Sequence, residues 1–520
     1  MAKGQKRENW GSRIGIIMAV AGSAIGLGNF LRFPAKAAAN GGGAFMIPYF
    51  ISLLLLGIPL MWIEWTLGRY GGGFCHGTAP GIFHSLLQKN RFIKYFGVIG
   101  IFGPLVIFIY YLFIESWTLA YSFFAITGKY TALMDQDSLR SFLSGFQGLE
   151  KNQYFNGIGT AYIFFLVTFS LNMLVVYRGI KGGIEKLCKF AIPLLFILGI
   201  ILIIRVLTLG TPDISKPGWN VAAGFGFLWN PDFSSLRSAK VWLEAAGQTF
   251  FTLSVGIGVI LTYASYLKKA DDVVLSGLTA AATNEAAEVI FGASIIIPAA
   301  FVFFGPADIK AIAQSGVFNL GFVTMPMVLN KLPLPAVFGF LWFFLLFLAG
   351  ITSSLSLAQP AIAFLEDEFN ISRRRAVCIF GVVSFVLCQP AVSLLGRGVV
   401  NELDFWGGTF FLVLFATIET VLFVWVFGMD RAWDEIHKGA DMAVPRIYKF
   451  IIKYITPLFL FTILGTWLMQ EWLPIIMMKN VPAPDKPFVL GTRVVLFILL
   501  VTLAVLVKIA WRRKKYTEVK

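Results

Sequence analysis

Two short glycine-containing segments interrupt long apolar stretches of this sequence. Gly26-Leu27-Gly28 lies within AGSAIGLGNF, and Gly256-Ile257-Gly258 lies within FTLSVGIGVI. Backbone that leaves the helical conformation inside a membrane exposes N–H groups, which attract a carboxylate, and carbonyl groups, which bind a cation. The two segments therefore predict a site that binds an anionic group and a cation together. For the first segment alone, close helix packing through Gly22-x-x-x-Gly26 is an open alternative.

Polar side chains suited to a cation lie near both interruptions. Sodium is a hard cation that binds oxygen ligands. The neutral candidates are Asn29, Thr252, Asn284, Thr352 and Ser353, and the ionisable ones are Arg32, Glu64, Glu115, Glu244, Glu288 and Asp404. An ionisable group inside a bilayer costs ~2.5 to 3.5 kcal/mol on insertion scales, so each is a functional candidate. For Glu115 and Glu244, ordinary ion pairing near the end of a membrane segment is the alternative.

The sequence offers little for other kinds of chemistry. Its four cysteines and three histidines have no spacing typical of a transition-metal site or a disulfide framework. No nucleophile and base form a recognisable pair, so an enzyme is not predicted. The net charge of +15 lies mainly at the ends of apolar segments, where it sets topology, so nucleic-acid binding is not predicted either.

The candidate residues need a membrane-spanning scaffold to position them. With 57% hydrophobic and 14% charged residues and a mean hydropathy of +0.77, the chain requires a bilayer as its solvent. A helix of about 20 residues crosses the hydrocarbon core. Twelve segments reach this length and predict an all-α integral membrane protein: 13–37, 43–69, 92–126, 158–178, 185–208, 240–265, 273–304, 334–366, 373–395, 401–428, 446–473 and 488–511.

Basic residues predict the orientation of these segments. Most of the 43 Lys and Arg residues fall on the side that both termini share, including Arg373, Arg374, Arg375 and the tail Arg512, Arg513, Lys514 and Lys515. Cytoplasmic loops carry such an excess, so both termini are predicted to be cytoplasmic. We expect one domain over 1–520, with a first repeat at 13–208, a second at 240–428, and two further helices at 446–511. Two longer outer connections are expected at 127–157 and 209–239, and a re-entrant loop at 305–333.

Eight motifs, in order along the chain, resemble one known family. They are AGSAIGLGNFLRFP, GGGAFMIPY, GIPLMWIEWTLGRYGG, YYLFIESW, FFTLSVGIG, NEAAEVI, FLAGITSSLSLAQP and NELDFWGGT. On these motifs the chain is identified as a member of the neurotransmitter:sodium symporters, and it is most similar to their bacterial amino-acid branch. The resemblance implies the leucine-transporter fold, with 12 transmembrane helices, a 5+5 inverted repeat and broken helices 1 and 6. It also implies sodium-coupled uptake of an amino acid across the bacterial inner membrane by alternating access.

The same resemblance implies two sodium sites. The first would be formed by Ala24, Asn29, Thr252 and Asn284, together with the carboxylate of the substrate. The second would use the carbonyls of Gly22, Ile25 and Ala349 and the hydroxyls of Thr352 and Ser353. Because the substrate would be a ligand of the first ion, ion binding and substrate binding would be coupled directly.

The resemblance also implies how the substrate would bind. Its carboxylate would meet the backbone amides around Leu27 and Gly28 and the Tyr111 hydroxyl. Its amino group would meet the carbonyls of Ala24, Phe251 and Thr252 and the Ser254 hydroxyl. Its side chain would enter a pocket lined by Ile107, Tyr111, Phe251, Ile257, Ser353 and Leu357.

Two charged pairs resemble the gates of the family. Arg32 and Asp404 correspond to an outer pair above Phe251. Arg7 and Asp367 correspond to an inner pair near Trp10 and Tyr266. Each pair would form on one side of the membrane while the other side opens.

Four positions bear on the choice of substrate and ion. Ile257 replaces a phenylalanine of the leucine transporter, which enlarges the pocket, while Ile107 is one carbon larger than its counterpart. Ser23 replaces an asparagine. We therefore expect a small hydrophobic amino acid, from medium-sized aliphatic to aromatic. Glu288 stands where chloride-independent bacterial members carry a fixed negative charge and chloride-dependent relatives have serine, so no chloride requirement is expected.

Two other kinds of membrane protein compete with this interpretation. A major-facilitator-type carrier also has twelve segments, but its repeats contain six segments each and lack paired glycine interruptions. A sodium-dependent sensor would bind the amino acid without net transport. The sequence leaves open a homodimer, the number of ions moved per substrate and any return of protons.

Overall fold

The computed structural model describes residues 8–90, 92–314, 316–470 and 472–518. This part of the chain contains no β-strand, and its one isolated bridge joins Gly42 to Pro231. The helices, several of which include π-helical turns, are α1 (Arg13–Ala24), α2 (Gly28–Ala39), α3 (Gly43–Gly72), α4 (Ala79–Leu86), α5 (Ile93–Ile126), α6 (Gln136–Phe146), α7 (Gly159–Tyr177), α8 (Ile180–Leu207), α9 (Val221–Trp229), α10 (Ala239–Leu253), α11 (Val259–Ala264), α12 (Val274–Pro306), α13 (Asp308–Gln314), α14 (Val317–Asn330), α15 (Pro335–Phe369), α16 (Arg373–Ser393), α17 (Val399–Val426), α18 (Met429–His437), α19 (Ile447–Gln470), α20 (Trp472–Ile476) and α21 (Lys486–Glu518). The predicted all-α fold is confirmed.

Ten helices among the described residues are long and apolar enough to cross a membrane: α3, α5, α7, α8, α12, α15, α16, α17, α19 and α21. Each coincides with a predicted segment to within several residues at its ends. The pair α1 and α2 passes the same test together, with a bend of 47°, and so does the pair α13 and α14, with a bend of 119°. The number of spans is therefore ten, or up to twelve when each bent pair counts as one.

Two predicted segments differ from a simple crossing helix. The sixth, 240–265, consists of the shorter helices α10 and α11. The sharply bent pair α13 and α14 occupies the region where a re-entrant loop was expected. The connections 127–157 and 209–239, which are expected to lie on the outer side, contain the short helices α6 and α9.

The first helix is interrupted at the predicted position. α1 ends at Ala24 because the next residue, Ile25, has an extended conformation with φ −74° and ψ 92°. Helical structure resumes at Gly28 with a π-helical turn. The break therefore falls around Gly26, and the chain changes direction there by 47°.

The second interruption separates α10 from α11. Between Leu253 and Val259, residues Ser254, Gly256 and Gly258 have positive φ values of 54°, 74° and 91°. A Cβ atom at Gly258 would lie 2.5 Å from the carbonyl oxygen of Gly100 on α5. Only glycine fits there, because a side chain would combine a strained backbone with a steric clash.

The centre of the bundle is formed by α5 and α15, which pack along each other. Large side chains such as Trp117 on α5 and Trp342 on α15 are fully buried there. Both interrupted helices lie against this centre, since α1 packs on α15 and α11 packs on α3 and α15. The two breaks are thereby held next to each other within the protein rather than at the lipid surface.

Candidate functional site

At the first interruption, between α1 and α2, side chains of the protein form hydrogen bonds with backbone N–H groups that leave the helix. The Gly26 N–H donates to the side-chain oxygen of Asn29 at 2.8 Å. The Leu27 N–H donates to the Tyr111 hydroxyl on α5 at 3.1 Å. Non-helical backbone is tolerated inside a membrane only where protein groups or a protein-lined cavity supply such partners.

A first cluster of oxygen atoms joins both interrupted helices to α12. Asn29 Nδ2 lies 3.0 Å from Thr252 Oγ1 and 2.8 Å from the side-chain amide of Asn284. The Asn284 amide also lies 2.9 Å from Thr252 Oγ1 and 3.2 Å from the Ala24 carbonyl oxygen. All three side chains are buried. The four protein residues expected for the first sodium site therefore lie together. Thr252, Asn284 and Ala24 offer hydroxyl, amide and carbonyl oxygens of the kind that a hard cation binds, whereas Asn29 directs its Nδ2 to the cluster and its side-chain oxygen to the Gly26 N–H.

Glu288 lies directly behind this cluster. Its carboxylate accepts hydrogen bonds from the hydroxyls of Thr252 and Tyr49 and from the amide of Gln248, each at 2.5 Å. The Tyr49 hydroxyl also lies 2.7 Å from Glu285. Sequence reasoning missed Tyr49, Gln248 and Glu285. Glu285 could have been found, because it is an ionisable residue within a predicted membrane segment, three positions from Glu288.

A second cluster of oxygen atoms lies between α1 and α15. The Ser353 hydroxyl oxygen is 3.3 Å from the carbonyl oxygen of Gly22, 3.4 Å from that of Ile25 and 3.1 Å from that of Ala349. Thr352 Oγ1 lies 3.1 Å from the same Ala349 oxygen. All five residues expected for the second sodium site thus converge on one point, and every contributing atom is an oxygen.

A small cavity of about 40 Å³ lies between the interrupted helices, α5 and α15. It is lined by Ser23, Ala24, Gly26, Gly28, Asn29, Ile107, Tyr111, Phe251, Ser254, Ile257, Ser353, Ser356 and Leu357. Nine of the eleven residues expected to contact the substrate are in this lining. The other two lie beside it: Leu27 lines the neighbouring cavity, and Thr252 belongs to the first oxygen cluster.

Two serines in this lining were not predicted to form the pocket. Ser23 Oγ and Ser356 Oγ lie 2.7 Å apart, although 333 positions separate them in the chain. The Ser254 hydroxyl donates to the Ser23 carbonyl at 2.9 Å. Ser356 could have been found, since it lies one helical turn after Ser353 and therefore on the same face of α15.

A larger cavity of about 290 Å³ adjoins the small one. The two share Gly28, Tyr111 and Phe251 as lining residues. The Arg32 guanidinium lies over the Phe251 ring, 4.3 Å from its centroid. Asp404 also lines the larger cavity and accepts a hydrogen bond from the Tyr110 hydroxyl at 2.6 Å. Phe251 therefore forms the partition between the two cavities.

The expected outer charged pair is present in this larger cavity but not joined. Arg32 and Asp404 both line it. Among the ion pairs between described residues, none connects these two side chains. The cavity between them is consequently open in this structure.

The opposite side of the fold is tied together by other contacts. Arg7 lies outside the described residues, so its expected pairing with Asp367 stays a prediction. The Trp10 ring nitrogen donates to the Tyr263 carbonyl at 2.9 Å. The Tyr266 hydroxyl accepts a hydrogen bond from Gln359 at 2.9 Å.

Arg13, which was not predicted, also acts on this side. It forms ion pairs with Asp272 at the start of α12 and with Asp441 in the connection after α18. Arg13 is the first residue of α1, and this end of the helix lies farthest from the larger cavity. The ion pairs therefore hold the N-terminal end of α1 against the segments that carry Asp272 and Asp441. No local pattern in the sequence indicates this contact, because the three residues belong to three distant segments.

Comparison with known proteins identifies the group to which this chain is related. The family model described as the Sodium:neurotransmitter symporter family matches residues 7–135 and 140–514. An uncharacterized sodium-dependent transporter of Methanocaldococcus jannaschii is 31% identical over 462 residues, which cover 88% of this chain and 89% of that protein. Sodium-dependent nutrient amino acid transporter 1 of Drosophila willistoni is 25% identical over 519 residues, covering 89% of this chain and 78% of that protein.

A solved structure has the same fold. The crystal structure of MhsT in complex with L-phenylalanine superposes with a TM-score of 0.75 and 28% sequence identity, covering 88% of this chain and 99% of MhsT. The family model matches almost the whole chain, and its members transport ligands rather than transform them. The chain belongs to the sodium:neurotransmitter symporter family.

Proposed function

We propose that this chain takes up a medium to large apolar amino acid together with sodium, by alternating access across the bacterial inner membrane. The observation that carries the proposal is the meeting of two oxygen clusters and a small cavity at one pair of interrupted helices. In this proposal, 13–208 and 240–428 form the two repeats and both termini are cytoplasmic.

The first oxygen cluster is proposed to bind one sodium ion. Ala24, Asn29, Thr252 and Asn284 would supply protein ligands, and the carboxylate of the substrate would complete the shell. The support is that each of these groups lies within 3.2 Å of at least one of the others in a buried position. Substrate and ion would then each raise the affinity of the protein for the other, as thermodynamic linkage requires.

The second oxygen cluster is proposed to bind another sodium ion. The carbonyls of Gly22, Ile25 and Ala349 and the hydroxyls of Thr352 and Ser353 would be its ligands. The ion would join α1 to α15, and α15 belongs to the centre of the bundle. Its loss would release α1, which is the helix that must move for the substrate to leave on the other side.

The small cavity is proposed to hold the amino acid. The Tyr111 hydroxyl accepts a hydrogen bond from Leu27 and also contacts the Ser353 hydroxyl, and it would donate its own hydrogen to the carboxylate of the substrate. Phe251 and Arg32 form the boundary between this cavity and the larger one.

The gates in this structure match an outward-facing state in the proposed cycle. Arg32 and Asp404 are apart on one side, while Arg13 is held by Asp272 and Asp441 on the other. Closing the larger cavity over the substrate would bring Arg32 and Asp404 together. Opening the opposite side would break the contacts of Arg13.

Glu288 is proposed to make chloride unnecessary. Its carboxylate is surrounded by uncharged donors from Thr252, Tyr49 and Gln248. It contacts Thr252, a proposed sodium ligand, so it places a fixed negative charge one residue away from the cation. In a relative with a neutral residue at this position, an anion from solution would have to supply that charge.

Two relatives support an amino acid as the substrate. MhsT binds L-phenylalanine in its crystal structure, and the Drosophila relative is a nutrient amino acid transporter. Ile257 in the wall of the small cavity leaves more room than a phenylalanine would.

The deciding experiment is uptake of radiolabelled phenylalanine into proteoliposomes. An inward sodium gradient combined with an inside-negative potential should drive accumulation above the external concentration, because each cation that moves down 100 mV supplies ~2.3 kcal/mol. Two cations would supply about twice that. Saturable sodium-dependent binding without accumulation would instead identify a sensor. Binding that is unchanged when K⁺ replaces Na⁺ would refute both proposals.

A further inference from the structure

The Ser356 hydroxyl in the small cavity has two oxygen neighbours. It donates to the Ser353 carbonyl oxygen at 2.7 Å, one turn earlier on α15. Its oxygen lies 2.7 Å from Ser23 Oγ. A hydroxyl group has one hydrogen and two lone pairs. Because the hydrogen of Ser356 is directed to Ser353, the hydrogen between the two serines must come from Ser23.

The other serine hydroxyls of this cavity are directed away from its interior in the same manner. Ser254 donates to the Ser23 carbonyl at 2.9 Å. Ser353 lies within donating distance of several carbonyl oxygens, which can only accept, and it also forms a hydrogen bond with the Tyr111 hydroxyl. The serines therefore give their hydrogens to the protein and present lone pairs to the cavity.

Ser23 and Ser356 line the same cavity as several apolar side chains. Ile107, Ile257 and Leu357 line it with hydrocarbon. Ser23 and Ser356 are only 4% and 1% exposed. An apolar ligand that fills this space would cover the unused lone pair of the Ser23 oxygen without giving it a donor, and a buried acceptor left without a donor lowers affinity.

We infer that this pocket prefers amino acids whose side chain carries a hydrogen-bond donor, and that Ser23 Oγ accepts the hydrogen bond from that donor. The chemical class is an aromatic side chain with an N–H or O–H group, such as the indole of tryptophan or the phenol of tyrosine. Hydrocarbon side chains of the same size bind less tightly. The inference rests on the proposed amino-acid site and narrows its substrate class.

The test is competition against radiolabelled phenylalanine bound to the purified protein in sodium. Tryptophan is compared with 3-(benzothiophen-3-yl)alanine, which has nearly the same shape but a sulfur atom in place of the N–H group. The native protein should bind tryptophan about tenfold more tightly, the value of one hydrogen bond in a buried site. Ser23→Ala should bring this ratio close to one and change the affinity for the sulfur analogue by no more than about twofold.

Ser384→Ala is the matched control, since Ser384 is a buried serine on α16 away from both cavities. It should keep the native ratio. A ratio of one in the native protein overturns the inference, and this measurement does not depend on the folding of any variant. Equal weakening of both ligands by Ser23→Ala also overturns it, because Ser23 would then contact a group that all amino acids share. If phenylalanine itself does not bind in sodium, the proposed function fails instead.

Discussion

Asn29 Nδ2 lies 3.0 Å from Thr252 Oγ1, although 223 positions separate these residues in the chain. The side-chain oxygen of Asn29 also accepts the Gly26 N–H at 2.8 Å. One amide group thus stabilises the first interruption and sets its distance from the second. A cation at this point would be held by both halves of the protein.

Replacing Asn29 with alanine should weaken ion binding. Removing a ligand and loosening its neighbours should raise the sodium concentration for half-maximal amino-acid binding by at least about tenfold, the usual cost of disturbing a metal site. The measurement is a sodium titration of radiolabelled amino-acid binding. Asn330→Ala is the control, because Asn330 bonds only to the backbone of Tyr130 and Leu133. An unchanged sodium requirement in Asn29→Ala would remove Asn29 from the ion site.

Replacing Ile257 with phenylalanine should shift selectivity toward smaller side chains. A ring in the wall of the small cavity takes the room that an aromatic ligand needs, and such overpacking costs ~1 to 3 kcal/mol. Competition by phenylalanine and by valine against one tracer gives the ratio. Ile290→Phe, at a position on α12 that is 53% exposed, makes the same substitution outside the pocket. Equal losses for both ligands in Ile257→Phe would contradict the role of pocket size.

Replacing Glu288 with serine should create a chloride requirement. The variant loses the fixed negative charge beside Thr252, so an anion must replace it before the cation binds well. Uptake by the native protein should be the same in chloride and in gluconate, whereas Glu288→Ser should be active only in chloride. Glu150→Ser, in an exposed outer connection, is the control. Activity of Glu288→Ser that is independent of chloride would show that another group carries the charge.

Replacing Gly258 with alanine should destabilise the fold. Its φ of 91° costs a non-glycine residue ~1 to 3 kcal/mol. The new Cβ would also lie 2.5 Å from the Gly100 carbonyl oxygen. Thermal unfolding of the detergent-solubilised protein should show a lower Tm. Gly103→Ala is the matched control, because a Cβ there has no heavy atom within 4 Å. The same Tm in both variants would contradict the geometry of the second interruption.

The fold could be predicted from the sequence because the features that indicate it lie within short segments of the chain. Long apolar segments identify helices that need a bilayer, and the structure has such helices at these positions. The interruptions were visible because Gly256 and Gly258 adopt positive φ values that few other residues tolerate. The predicted count of crossing segments differs from the structure at α10 and α11. These two helices replace the predicted segment 240–265, and neither is long enough to cross a membrane.

The site could be predicted from the sequence only in part, because many of its contacts join distant parts of the chain. Asn29 and Ser353 were found through motifs, and the structure places them in the two oxygen clusters. The contact of Ser23 with Ser356 could not be predicted from the sequence, since it depends on how α1 crosses α15. The ion pairs of Arg13 were missed for the same reason.

The Ser353 hydroxyl lies among the carbonyl oxygens of Gly22, Ile25 and Ala349, with Thr352 beside it. Carbonyl dipoles that point at one another repel, and a hydrogen directed among them takes the place of a positive charge. The Ser353 hydroxyl therefore weakens the repulsion between the carbonyl groups of α1 and α15, whereas a bound cation would hold the same oxygens together more firmly. When an ion binds, the hydroxyls of Thr352 and Ser353 need only rotate so that their lone pairs face the ion.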